Sequence, residues 1–235
     1  MKKVFHAGAE EVLRAGVEAL DIACGIDTLK KFMLYLSELK KWSRVHNLTS
    51  IRDDRDIVEK HFLDSLLYLR VLPQGGLKLL DVGSGAGFPG IPLKLVRPEI
   101  DLYLLESRGK KAAFLRYIAD TLGLKNGVTV IEGRLEDFKP PAGTPLFDAA
   151  VVRALFGVSE FIEKVSPVVR PGGVIVLSKG PEYFKELEEL DRLEELDKKN
   201  PAEKYRGRNR LDITTAKIPA TDITRYLISI LNGGL

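Results

Sequence analysis

Cysteine is almost missing from this chain of 235 residues: Cys24 is the only one. One thiol forms no internal disulfide and no thiolate metal site, and such usage is what a reducing cytoplasm selects. Long apolar runs are missing too. No stretch approaches the ~20 residues needed to span a bilayer. The opening Met1-Lys2-Lys3-Val4-Phe5-His6 lacks the apolar segment of a signal peptide. Histidine is scarce, and His6, His46 and His61 show no ligand spacing, so no metal site is expected. There is no internal repeat and no low-complexity segment. Charge of one sign is also lacking, since the formal net charge is only +3. That balance permits a nucleic-acid partner without requiring one.

What is present is an ordinary globular composition, 45% hydrophobic and 29% charged, in a chain long enough to bury a real core. Residues 1–75 read as a helical extension. Val12, Leu13, Val17 and Leu20 recur at helical spacing, as do Leu29, Phe32, Met33, Leu36 and Leu39. Gly25 breaks the pattern, and Asp27 or Thr28 is expected to cap the second helix. A third helix is expected from about Asp54 to Leu72, ending at Pro73. Residues 76–235 read as the core. Strands are expected at Leu77–Val82, Asp101–Leu105, Val128–Glu132, Phe147–Val152 and Gly173–Ser178. Helices are expected near 90–97, 108–123 and 157–169. This alternation predicts an α/β fold with a doubly wound, mostly parallel sheet. Ligands of such sheets bind beyond the carboxyl ends of the strands. Residues 182–199 read as a charged, solvated helix. Leu211–Ile218 and Tyr226–Leu231 read as a strand hairpin added to the sheet.

The strongest local signal is Asp81-Val82-Gly83-Ser84-Gly85-Ala86-Gly87-Phe88-Pro89-Gly90, between an apolar strand and a helix. Glycines let the backbone turn sharply and approach a ligand, and the next helix offers free N–H groups. The loop alone is ambiguous. Gly83, Gly85 and Gly87 have the spacing of a methyltransferase cofactor loop, whereas Gly85, Gly87 and Gly90 match the dinucleotide fingerprint. Glu106 ends the second strand, where a carboxylate accepts ribose hydroxyls of either cofactor. The later pattern separates the two. A fourth strand, a helix, and Arg170-Pro171-Gly172-Gly173 before a fifth strand follow within roughly a hundred residues of the loop. A dehydrogenase would need a separate substrate domain, and little chain is left for one.

Further motifs extend the pattern: Asn47-Leu48-Thr49, His61-Phe62-Leu63-Asp64-Ser65-Leu66, Leu105-Glu106-Ser107, Lys110-Lys111, Arg134, Glu136, Phe147-Asp148, Arg153-Ala154 and Lys179-Gly180. With the Gly-Phe-Pro-Gly element, they make the chain resemble, over roughly residues 42–182, the RsmG family, also called glucose-inhibited division protein B. These bacterial enzymes methylate N7 of a guanine in 16S ribosomal RNA near the decoding region. The resemblance implies a class I, Rossmann-like fold dependent on S-adenosylmethionine, with 16S RNA or the small ribosomal subunit as partner. A cytoplasmic monomer is expected, with no membrane attachment.

The family's cofactor contacts map onto Gly83, Phe88, Leu135, Glu136 and Arg153, and the loop argument adds Ser84, Gly85, Ala86 and Glu106. Phe88 is expected to cover the cofactor. Guanine N7 is a lone-pair nucleophile with no proton to lose, so no general base is expected. Placement about 3–3.5 Å from the methyl carbon suffices. Asp64 and Arg153 are expected to shape the purine pocket, with Asn47 and His61 nearby. RNA contacts are expected from Asn47, His61, Arg108, Lys110, Lys111 and Lys179. Tyr205, Arg206 and Arg208 are added because arginines bind phosphates and an aromatic ring stacks on an unpaired base. Lys30-Lys31 and Lys40-Lys41 are expected to face solvent. Competing readings are a methyltransferase for another substrate, an NAD-binding oxidoreductase, and a non-enzymatic module on the same fold.

Overall fold

Apolar runs too short for helices recur after Leu77, and each becomes a strand. The computed structural model describes residues 7–140, 146–153, 155–186 and 210–233. Strands β1 (Lys78–Val82), β2 (Asp101–Glu106), β3 (Val128–Glu132), β4 (Phe147–Arg153) and β5 (Val169–Lys179) are parallel neighbours. Strands β6 (Arg210–Lys217) and β7 (Thr224–Leu231) form an antiparallel hairpin. The later strand, β7, pairs with β5, so the order is β3-β2-β1-β4-β5-β7-β6.

Both faces of the central strands are covered, which explains their nearly unbroken hydrophobicity. Successive side chains alternate between two cores. Leu79, Leu102, Leu104, Ala149 and Val151 enter the larger one, and Leu80, Val82, Leu105, Ala150 and Val152 the smaller. Helices α5 (Gly90–Val96) and α6 (Gly109–Thr121) supply Ile91, Leu93, Phe114 and Ile118 to the larger core. Helix α7 (Val158–Val165) supplies Val158, Phe161 and Val165 to the smaller.

The helices before the sheet join that larger core. Helix α1 (Ala7–Ala19) contributes Leu13 and Val17, and α2 (Ile26–His46) contributes Leu29, Phe32, Tyr35, Leu36 and Leu39. Helix α2 starts two or three residues earlier than its side chains suggest. Gly25 is its N-cap and no side chain caps it. Asp27 lies in the first turn, where a carboxylate favours the helix dipole. Next come α3 (Asp54–Ile57), capped by Asp53 accepting from the Asp56 N–H at 3.0 Å, a π turn over Val58–Leu63, α4 (Asp64–Leu66) and a 3-10 turn over Leu67–Arg70. The expected single helix is therefore three kinds of turn in series.

Strand β5 also departs from expectation. Pro171-Gly172-Gly173 lies inside it as a bulge, where the register jumps between Phe147↔Val169 and Ala149↔Val174. Asn232 holds the bulge in place. Its carbonyl accepts from Gly172 N–H at 2.7 Å, its N–H donates to the Gly173 carbonyl at 2.8 Å, and its Nδ2 donates to the Val169 carbonyl at 2.7 Å. Residues 183–186 are helical, while the remainder of the charged stretch lies outside the described residues.

Candidate active site

The carboxyl ends of the parallel strands share one edge, and the glycine loop leaves β1 there. Gly83, Gly85 and Gly87 have φ of 67°, 59° and 97°. At Gly87 the requirement is also steric, because an added Cβ would lie 2.6 Å from the Tyr35 hydroxyl oxygen. The Gly83 and Ser84 N–H groups donate to the Leu105 carbonyl at 2.8 and 3.1 Å, tying the loop to β2. Glu106 closes the loop from the end of β2. Its carboxylate accepts from the Gly85 N–H at 2.8 Å and the Arg108 N–H at 2.9 Å. Each oxygen keeps a further lone pair for a ligand hydroxyl. Asp81 lies beneath the loop. One of its oxygens accepts from the Gly90 N–H at 2.9 Å, and the other is buried with no partner among the described residues. Burial pushes its carboxyl up to about 7.

Beside the loop stands an aromatic stack. The Tyr35 hydroxyl donates to the Ala86 carbonyl, and its ring stacks on Phe62 and Phe88 at 5.3 and 5.4 Å. Phe88 therefore points into the core instead of standing open over the edge. Burying a phenylalanine contributes about 1.5–3 kcal/mol, which anchors the loop from below. His61 covers Phe88 on another side, with centroids 4.6 Å apart and planes within 16°.

The end of β4 completes the edge. The Arg153 guanidinium lies 5.2 Å from the Phe88 ring centre. It contacts His61 Nδ1 at 3.3 Å and the Lys60 carbonyl at 3.4 Å. A guanidinium only donates, so Nδ1 accepts and the imidazole proton sits on Nε2, which meets Thr49 Oγ1 at 2.8 Å. Burial, reinforced by Arg153, pushes His61 down to about 3, so the ring is neutral. Asp64 is 1% exposed and faces two arginines. Arg225 donates Nε at 2.8 Å and Nη2 at 3.5 Å to its two oxygens, and Arg153 lies 3.6 Å away. The Tyr68 hydroxyl ties the same helical segment to the Val152 carbonyl at 2.6 Å.

Glu106, His61, Asp64 and Arg153 thus meet at or beside the loop. Arg225 and Tyr35 join them and carry no local sequence signal beyond a polar tip on an apolar helix stripe for Tyr35. Arg225 arrives through topology, because an antiparallel strand starts where parallel strands end, and Tyr226 pairs with Lys179. Ser84 and Ala86 are buried within the loop. Leu135 is buried in a 3-10 turn after β3, and Glu136 beside it is exposed and paired with Lys164. Asn47 ends α2 in left-handed conformation, with Oδ1 accepting from Arg52 at 3.4 Å. Arg108 and Lys110 are exposed, and the Lys111 ammonium lies 3.8 Å from where a Gly85 Cβ would be.

Two lysines depart from expectation. Lys179 is turned inward, donating to the Phe156 carbonyl at 2.6 Å and to Glu186 at 2.9 and 3.0 Å, so its charge is already matched. Lys40 does not simply face solvent; it pairs with Asp54 across the helix junction. Tyr205, Arg206 and Arg208 lie outside the described residues.

A family model described as rRNA small subunit methyltransferase G matches residues 28–210. A relative named ribosomal RNA small subunit methyltransferase G, from Caldanaerobacter subterraneus subsp. tengcongensis, is 36% identical over 94% of this chain and 88% of its own. Among solved structures, a methyltransferase from Pyrococcus furiosus superposes with a TM-score of 0.52 at 15% identity, covering 73% of this chain and 82% of that one. P. horikoshii TYW2, solved in complex with MeSAdo, gives a TM-score of 0.53 at 14% identity, covering 73% of this chain and 62% of that one. At such identities the two structures establish a shared methyltransferase fold, and the sequence matches go further: the chain belongs to the rRNA small subunit methyltransferase G family.

Proposed function

We propose that this protein transfers the methyl group of S-adenosylmethionine to N7 of a guanine in 16S ribosomal RNA of the small subunit. Family membership supports the reaction class, and the donor set supports the cofactor. The loop of Gly83 to Phe88 and the Glu106 carboxylate form a cradle for an adenosyl ribose. Leu135, Glu136 and Arg153 are the remaining family contacts. When bound, S-adenosylmethionine supplies a methyl group already activated by its sulfonium charge.

One observation carries the choice of nucleophile. Among the described residues of this edge, Asp64, Glu106 and His61 are already engaged, and Asp81 is buried beneath the loop. Asp64 is held by Arg225 and Arg153, Glu106 by two backbone N–H groups, and His61 is neutral with both nitrogens engaged. Such an edge suits a nucleophile that has no proton to give up, as N7 has none. Asp64 and Arg153 then act by position, fixing His61 and Phe88 in the wall of the pocket. Residues 1–75 form the wall-bearing helical part and residues 76–235 the cofactor-bearing core. The enzyme works as a cytoplasmic monomer without a metal.

Incubation with tritiated S-adenosylmethionine and 30S subunits from a strain lacking this methylation is the test. Label recovered from 16S RNA as 7-methylguanine is the expected result. Cofactor binding without transfer to 16S RNA overturns the substrate. Label on an exocyclic amine overturns the argument from the missing base.

A further inference from the structure

A cavity of about 220 Å³ opens where the end of α2 meets the chain before α3, outside the edge described above. Its walls include Lys40, Ser43, Arg44, Thr49, Arg52 and Ile57. Pockets that enclose a whole small molecule run to roughly 300–1,000 Å³, so this one suits a single group of a larger ligand. Its charge says which. Asp54 pairs with Lys40 and matches one of the three cations. Among the described residues Arg52 donates only to neutral oxygens, the Ser43 carbonyl at 3.2 Å and Asn47 Oδ1 at 3.4 Å, and no carboxylate there matches its charge. Arg44 is exposed and has no ion pair or hydrogen bond among the described residues.

A second observation is independent of charge. Ser43 is 1% exposed, and its hydroxyl oxygen has no partner among the described residues. Buried polar groups are nearly always satisfied, and one that is not invites a missing ligand or water. The C-terminal dipole of α2 opposes an anion, but it amounts to about half a charge. The Ser43 carbonyl there is already shared by the Asn47 N–H and Arg52. Two unmatched guanidinia outweigh it. The cavity also adjoins the reaction edge, because Thr49 lines it and bonds His61.

We propose that this cavity receives a backbone phosphate of the RNA flanking the methylated nucleotide, a subsite that rests on the RNA substrate proposed above. Arg44 and Arg52 hold the phosphate oxygens, and the Ser43 hydroxyl supplies a third donor. The contact fixes the register of the strand without reading its sequence.

Arg44→Gln removes a charge without breaking an internal bond. Binding of undermethylated 30S subunits is measured by filter retention over a range of salt, with thermal melting and S-adenosylmethionine affinity measured alongside. The expected result is a dissociation constant raised about five-fold and a log–log salt slope shallower by roughly 0.7–0.9, with melting and cofactor affinity unchanged. Ser43→Ala is expected to weaken RNA binding about two-fold while melting no lower, because it deletes an unpartnered hydroxyl. A wild-type enzyme that methylates normally beside an Arg44→Gln variant of equal affinity and slope overturns the subsite alone. Weakening on 30S subunits but not on protein-free 16S RNA assigns the cavity to an acidic ribosomal protein and also overturns it. A wild-type enzyme that fails to methylate overturns the RNA substrate and the subsite together.

Discussion

The two halves of the reaction edge are assembled in opposite ways. On the glycine-loop side, partners are close in sequence and mostly backbone: Gly85 and Glu106 stand 21 positions apart. On the Arg153 side, partners are side chains drawn from afar. Arg153 reaches the His61 ring across 92 positions, and Arg225 reaches Asp64 across 161. Away from its glycines the first half tolerates change, because backbone N–H groups survive substitution. The second does not, because each deletion leaves a buried charge with a missing partner.

Removing Arg153 is the severest way to test that contrast. Arg153→Ala loses the contacts to Phe88, His61 and Asp64 together, and misplacement of this order lowers turnover about 100-fold. Initial rates on 30S subunits check it. A loss confined to cofactor affinity would move Arg153 into the first half. Arg225→Met comes next. Breaking a buried pair costs about 3–5 kcal/mol. Here Arg153 still faces Asp64, and the Arg225 side chain is 26% exposed. The expectation is accordingly about 2 kcal/mol by urea unfolding. Adding Asp64→Asn should recover part of it; simple additivity of the two changes would show that the pair is uncoupled. On the loop side, Glu106→Gln should raise the S-adenosylmethionine dissociation constant about tenfold, or ~1.4 kcal/mol, with little change in melting. Calorimetric titration reads this, and an unchanged constant removes Glu106 from the cradle.

The smallest net effect concerns pH, because each half holds a group with a shifted pKa and the shifts oppose. Asp81 folds with its pKa raised from 3.8 to about 7, so the folded state keeps a proton that the unfolded state releases. Its contribution to stability falls as pH rises from about 4 to 7. His61 folds with its pKa lowered from 6.5 to about 3, so the unfolded state holds the extra proton. Its contribution is present above about 6.5 and is lost as pH falls towards 3. Between roughly pH 4 and 6.5 the slopes oppose, and the wild-type urea midpoint should change little. Asp81→Asn should expose a rise with pH and His61→Gln a fall. Two variants with slopes of the same sign would discard this assignment.

The sequence displays the first half plainly, because glycines after an apolar strand and an acid ending the next strand are local patterns with local causes. Five parallel strands follow from short apolar runs for the same reason. Tyr35 is hidden within the apolar stripe of α2, since its role depends on where its hydroxyl ends. Arg225 has no local marker at all; only the antiparallel pairing of β7 with β5 delivers it. Pro171-Gly172-Gly173 looks like a turn because nothing nearby announces Asn232, whose side chain keeps those residues in the strand. The π turn at 58–63 is likewise invisible to a period of 3.6 residues.

The distance between Asp64 and Arg225 also sets an order in time. Chains emerge from the ribosome at roughly 5–20 residues per second. The 161 positions between the two residues therefore correspond to roughly 8–32 seconds of synthesis. During that interval the glycine loop and Glu106 already exist as chain, while Asp64 still lacks its bidentate partner. A product stopped before residue 225 would carry the loop and Glu106 but leave Asp64 with a single guanidinium. The bidentate pairing of Asp64 therefore waits for β7 to be made, long after the loop and Glu106 exist as chain.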